Sequence, residues 1–271
     1  MTPTSLVILA GSGLFAGILA GFLGIGGGTV LVPLLVAVGY TPVESVATSS
    51  LSIIITAVSG SFQNWRMGNF HVQRVLLISL PAVVTAQIGA AIASRILPYY
   101  LLGAFGLLLL FNIYLIELRK RLTQRGAEGQ RSGVAEERRR FFFHPMVASL
   151  VTGGAAGMLA GLFGIGGGAI MVPLQIILLG ERIKTAIQTS LGVIVITGIS
   201  ACVGHAFRGN ILLWEGLILG AGGLMGAQIS TRFLPKLPNY VVSLLFRTFL
   251  VLVSVYIFWQ AWQSYSSLIN N

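Results

Sequence analysis

Apolar residues in this chain come in long blocks instead of single stripes, and polar positions collect between the blocks. The first five blocks run from Thr4 to Leu23, Thr29 to Val38, Val43 to Trp65, Val72 to Ala93 and Tyr99 to Leu118. A polar stretch over 119–144 follows, and then five more: Pro145 to Phe163, Ala169 to Leu179, Thr185 to Phe207, Ile211 to Thr231 and Asn239 to Trp262. A helix rising about 1.5 Å per residue needs about 20 mostly apolar residues to cross hydrocarbon. Four blocks of each set approach that length, and the second of each is about half of it. The pattern predicts an all-α, polytopic membrane protein of two inverted repeats, each with about four long spans plus one short Gly-interrupted helix. Residues 1–118 are the first transmembrane repeat, 119–144 a cytoplasmic basic linker and 145–271 the second repeat.

The two sets are copies. AGFLGIGGGTVLVPL at 20–34 and AGLFGIGGGAIMVPL at 160–174 share ten of fifteen positions at an offset of 140. The likeness continues through Thr48-Ser49-Ser50-Leu51 and Gln188-Thr189-Ser190-Leu191, then Gly68-Asn69 and Gly209-Asn210. It reaches Arg95-Ile96-Leu97-Pro98 and Arg232-Phe233-Leu234-Pro235. Internal duplication of this kind fixes an architecture before any local reading does. Glycines at every fourth position (Gly13, Gly17, Gly21; Gly153, Gly157, Gly161) predict smooth helix faces for close packing. Pro33 and Pro173 fall in the first turns of the short helices, where a missing N–H costs least.

Composition narrows the class. The chain is 271 residues, 55% hydrophobic and 9% charged, with mean hydropathy +0.88, which excludes an ordinary soluble domain. Its +10 net charge does not indicate nucleic acid, because eight of the seventeen Lys and Arg sit in the linker. Cytoplasmic loops retain such residues. With the linker inside, Arg66, Arg74, Arg182, Lys184, Arg232 and Lys236 also fall inside, while Glu44, Arg95, Arg208 and Glu215 fall outside. Tyr99, Tyr100, Tyr240, Trp259 and Trp262 suit an interfacial aromatic belt. The first 43 residues carry no charged side chain. A basic secretory leader is therefore not expected, and the amino terminus reads as the first span. Inverted repeats require the first two segments to return to their starting side. If they form one broken span instead, the repeats are parallel.

The candidate chemistry lies at the GIGGG stretches. Gly-interrupted apolar segments at matching places in two halves point to a transporter's binding site. A helix amino terminus offers unpaired N–H groups and partial positive charge, and glycines let the backbone curl those amides around a small anion. Gly26, Gly27, Gly28, Gly166, Gly167 and Gly168 are the expected oxyanion ligands. Thr29, Thr48, Ser49, Ser50, Gln188, Thr189 and Ser190 would complete the site. The competing reading is that the glycines serve tight helix crossing alone. Gly24-x-Gly26 resembles the start of a dinucleotide fingerprint, but no strand precedes it and the βαβ setting is missing.

Among ionisable groups in the spans, Arg247 reads as snorkelling to the inner surface and His205 as interfacial; substrate or proton contact is the alternative for both. Gln87, Gln228 and Asn112 read as interhelical hydrogen-bonders. The lone Cys202 reads as a small buried helix residue, and no metal site or cofactor is expected. With no Asp and no Glu in mid-span, a carboxylate relay gives way to uniport, channel-like flow or coupling through His205 or backbone carbonyls.

The paired GIGGG-x-x-x-VP stretches, the following TSSL and QTSL, and the Gly-Asn turns together resemble the sulfite exporter TauE/SafE family of membrane permeases. The resemblance covers nearly all of the chain outside the linker. It implies a plasma-membrane permease for small anions such as sulfite and organosulfonates like sulfoacetate, and it maps the family's glycine motifs onto Gly24 to Gly28 and Gly164 to Gly168. The expected partners are then a small anionic substrate and membrane lipid, with no nucleic acid; a homo-oligomer stays open. An anion channel and a non-transporting assembly subunit are the alternatives. An embedded enzyme finds too few nucleophile, base or metal-ligand sets.

Overall fold

The computed structural model describes residues 3–23, 26–68, 71–111, 113–114, 145–181, 183–233, 248, 251–252, 254–263 and 266. The linker, Gly24, Ile25, Asn112 and Arg247 lie outside the described residues. The described elements are α1 (Pro3–Leu23), α2 (Gly28–Val38), α3 (Pro42–Arg66), α4 (Val72–Ala93) and α5 (Pro98–Phe111). They continue as α6 (Pro145–Phe163), α7 (Gly168–Leu179), α8 (Ile183–Ala206), α9 (Leu213–Phe233) and α10 (254–263). No strand occurs among them.

Sequence chemistry sets several of the ends. The short helices α2 and α7 each begin and end on glycine in left-handed backbone: Gly27 (φ 69°) and Gly39 (φ 106°) flank α2, Gly167 (φ 72°) and Gly180 (φ 63°) flank α7. A side chain at such φ would press on its own carbonyl, so glycine stops the helix where other residues would continue it. At α3 the start is a capping box. Glu44 N–H donates to Thr41 Oγ1 at 3.3 Å, and Thr41 N–H donates to the Glu44 carboxylate at 3.0 Å, with Pro42 opening the helix. Such a cap stabilises a helix by about 1 kcal/mol.

The windows Pro42–Arg66, Val72–Ala93, Met146–Phe163 and Thr185–Ala206 are long and apolar enough to cross a membrane. Leu6–Ala20, Gly28–Val38, Pro98–Phe111 and Gly168–Leu179 are shorter apolar stretches. Among the described residues the backbone is bonded mainly within helices and their caps, the form a multi-pass membrane protein requires. Helix α4 illustrates how its residues are divided. Leu76, Leu77, Leu80, Val84 and Ile88 are exposed as a lipid-facing surface, while Ala82, Ala86, Ala90 and Ala93 are fully buried.

The glycine faces pack backbone to backbone, and always on a helix of the other set. A Cβ at Gly13 or Gly17 of α1 would strike the carbonyls of Leu219 or Gly223 of α9. One at Gly153, Gly157 or Gly161 of α6 would strike those of Ile78, Ala82 or Ala86 of α4. Without a hydrophobic drive between helices in lipid, such close approach supplies the dispersion contacts that hold them. Numbers rise together across both interfaces, so α1 runs parallel to α9 and α4 parallel to α6.

Other contacts extend the directions. Leu51 and Ile55 of α3 face Gly216 and Gly220 of α9, again parallel. Ser200 of α8 donates to the Val83 carbonyl of α4, and Gly204 packs on Gln87 and Ala90, so α4 and α8 are also parallel. By contrast Ile54 faces Gly198 and Gly60 faces Leu191, so α3 and α8 are antiparallel. Helices α1, α3 and α9 thus point one way, and α4, α6 and α8 the other.

The short helices turn back. Tyr40, just past α2, donates to the Glu215 carboxylate at the start of α9 at 3.5 Å, so α2 ends at the face where α1 and α9 begin. Arg74 at the start of α4 pairs at 2.9 Å with Glu181, just past α7, so α7 ends where α4 and α6 begin. Each glycine-interrupted pair is a hairpin. The single broken span, which would leave α2 at the opposite face, does not form.

Candidate functional site

The two hairpin tips meet inside the bundle. Gly26 and Gly27 (φ 85° and 69°) and Gly166 and Gly167 (φ 73° and 72°) each place two left-handed residues in succession, a conformation open to glycine. A Cβ on Gly28 would strike the Gly164 carbonyl and lie 2.7 Å from Ile165 Cα; one on Gly26 would lie 3.0 Å from the Ile165 carbonyl oxygen. All six predicted glycine ligands are buried. Part of the amide set is already engaged: Gly28 N–H donates to the Gly26 carbonyl at 2.8 Å, and the Val30 and Leu31 amides donate to the Gly27 carbonyl.

The predicted hydroxyl residues also lie near the tips, but the serine hydroxyls among them bond to backbone. Ser49 Oγ donates at 2.9 Å to the carbonyls of both Val46 and Gly164, tying α3 to the second tip. Ser50 Oγ donates to the Val46 carbonyl and Ser190 Oγ to the Ile187 carbonyl, the back-bonding that mid-helix serines favour. Thr48 Oγ1 accepts from the Leu212 amide at 3.2 Å, just before α9. Thr29 and Thr189 are buried, and Gln188 is half-buried.

What covers the tips is hydrocarbon. A Cβ on Gly166 would lie 2.9 Å from Ile194 Cγ2 and 3.1 Å from Ile53 Cγ2; from Gly26 both side chains are at 3.6 Å. Ile53, Ala57 and Ile194 form a small core of their own here. The sequence reading missed these two isoleucines, because inside an apolar block nothing distinguishes them from lipid-facing neighbours. In this conformation the tips are closed to solvent.

His205 departs from its expected place. It is fully buried, not interfacial, and its Nε2–H donates at 3.0 Å to the Gly161 carbonyl of α6. The reason is that α8 packs beside α6 and brings the ring up against the Gly161 carbonyl. Gln87 donates to the Ser200 carbonyl at 2.6 Å and Gln228 to Ser59 Oγ at 2.9 Å, both between helices as expected. Arg247 lies outside the described residues. A shallow cavity of about 240 Å³ lined by Phe62, Gln63, Arg66, Met67 and Gln228 sits at the carboxyl end of α3, away from the tips. No group of three or more His, Cys, Asp or Glu side chains suited to a metal occurs among the described residues.

Helices of spanning length, packed through glycine faces around two hairpin tips, define a multi-pass membrane protein. The family model for the sulfite exporter TauE/SafE matches residues 9–257, and the chain belongs to that family. A probable membrane transporter protein of Xylella fastidiosa (strain 9a5c) is 29% identical over 271 residues, covering 97% of this chain and 99% of the relative. The probable membrane transporter protein YunE of Bacillus subtilis is 26% identical, covering 92% and 96%. Sulfite exporter TauE/SafE family protein 1 of Arabidopsis thaliana is 29% identical over 87 residues, 32% of this chain and 19% of that protein. No solved structure matches the chain.

Proposed function

We propose that this protein is a plasma-membrane permease for a small oxyanion, sulfite or a related organosulfur anion such as sulfoacetate, bound where the hairpin tips meet. The observation that carries the reading is the approach of Gly28 to Gly164 and Ile165. It brings two helix amino termini, each with its partial positive charge, to one place inside the bundle. Neutral amides of this kind hold an anion without the cost of burying a full countercharge, and they let it leave.

The chain is read as two inverted repeats, 1–118 and 145–271, joined by the cytoplasmic linker 119–144. Opposite pointing of α1 and α3 against α6 and α8 supports this, as does the exchange of α1 onto α9 for α6 onto α4. The described conformation is then an occluded one, in which Ile53 and Ile194 exclude water from the amides. Alternating access requires the tips and these two side chains to part toward one face at a time. The relatives' names, which are those of membrane transporters, agree with this reading.

The test is flux of labelled sulfite into proteoliposomes, competed by chloride and by a panel of sulfur oxyanions. Saturable sulfite flux that chloride does not compete for is the expected result. Flux equal to that of empty liposomes across the whole panel would leave the assembly-subunit alternative standing.

A further inference from the structure

Between the tips and the face where α4, α6 and α8 begin lies an apolar cluster of Val75, Ile78, Ala156, Met171 and Val193. Beside that cluster α4, α6 and α7 each carry a buried polar side chain. Ser79 follows Ile78, Thr152 lies four residues before Ala156, and Gln175 four residues after Met171. Because α6 rises from that face and α7 returns to it, Thr152 and Gln175 reach the same level. Gly153 packs on the Ile78 carbonyl, which puts Thr152 and Ser79 at one level on neighbouring helices.

These three side chains are 2%, 0% and 1% exposed. Ser79 Oγ, Thr152 Oγ1 and Gln175 Nε2 nevertheless find no hydrogen-bond partner among the described residues. Buried polar atoms are almost always paired, so three unpaired donors on facing helices mark a place made for something else. The duplication sharpens the point. Gln175 aligns with Leu35, which is fully buried in the main apolar core, so the same backbone position is filled with hydrocarbon in the other half. The amide is not required by the fold.

The geometry points to a second subsite for the transported oxyanion, formed by Ser79, Thr152 and Gln175. It lies between the glycine tips and the Arg74–Glu181 ion pair at that face. This rests on the transport reading above. Three neutral donors with no carboxylate among them suit an anion.

Sulfite KM and Vmax in proteoliposomes, with melting temperature in detergent, would be measured for Gln175→Leu, Thr152→Val and Thr152→Ser. Loss of one hydrogen bond to a charged ligand raises KM about ten-fold. Gln175→Leu and Thr152→Val should each show that rise with Vmax and melting temperature near wild type, and Thr152→Ser should keep the wild-type KM. Should Gln175→Leu fail to fold, the Thr152 pair decides alone, since valine matches threonine in shape. Wild-type KM in the Val and Leu variants, beside normal wild-type flux, overturns the subsite and leaves the permease reading intact. Absence of any oxyanion flux in the wild-type protein overturns both.

Discussion

Gly28→Ala isolates the meeting of the two tips from the strain of their turns. Gly26 and Gly27 have positive φ, so any side chain there is penalised by its own backbone; Gly28 is the first residue of α2 and has none of that penalty. In free helix, alanine in place of glycine is favourable by up to about 1 kcal/mol. Here the new methyl would strike the Gly164 carbonyl and lie 2.6 Å from Ile53 Cδ1 and 2.7 Å from Ile165 Cα. Carbon atoms rest at about 3.5–4.0 Å, so the tips must separate by roughly 1 Å. Overpacking of this size costs about 1–3 kcal/mol, which leaves a net loss of about 0–2 kcal/mol after the helix gain. That is small against the effect on the proposed site of paired amides, where displacement by about 1 Å costs on the order of 100-fold in function. The assay pairs sulfite flux with thermal unfolding. Gly11→Ala, inside α1 with nothing within 4 Å, serves as the control and should keep wild-type flux while melting at or slightly above wild type. Gly28→Ala with wild-type flux would refute the claim that the tips' close approach matters to transport.

Gln87→Leu should lower stability by about 0.5–1.5 kcal/mol, because it leaves the hydrogen-bonding capacity of Ser200 Oγ partly unmet; unchanged melting would mean the bond is replaced without loss. Burial first, and then the Glu215 carboxylate, hold the Tyr40 phenol above its ordinary pKa of 10.0. The folded state keeps that proton longer than the unfolded one, so the contribution is fully present below pH 10 and is lost as pH rises through the folded value. Tyr40→Phe should flatten the alkaline fall in melting temperature, and an unaltered profile would dismiss the contact. Reporter fusions should place both chain termini on the face opposite the 119–144 linker; a terminus on the linker's side contradicts the inverted arrangement.

Element limits were largely readable in the chain. The block from Val72 to Ala93 is α4 residue for residue, and that from Pro145 to Phe163 is α6, because glycine, proline and charge punctuate the apolar runs. The packing use of Gly13, Gly17, Gly153, Gly157 and Gly161 was readable too, since four-residue spacing puts them on one face. Which helix each face would meet was not. In a block apolar all round, no stripe names the partner. The fate of the hydroxyls was equally hidden, because Ser50 and Ser190 have carbonyls of their own helix within reach and the sequence holds no sign of that choice. His205 was misplaced for a related reason: distance from a block's end says how near the surface a residue lies along the axis, but not whether a neighbouring backbone comes up against it. The unpaired Gln175 had a usable signal that went unread, a polar residue where the other copy has leucine.

The crosswise seating of α1 on α9 and of α6 on α4 has a consequence for how the protein is made. As the ribosome delivers the chain, α1 enters the bilayer long before its permanent neighbour has been synthesised, and its carbonyl-receiving groove must be tended by lipid or by the insertion machinery meanwhile. Severed at the linker, neither fragment alone would hold its shape, while the two produced together in one cell should find each other and regain activity.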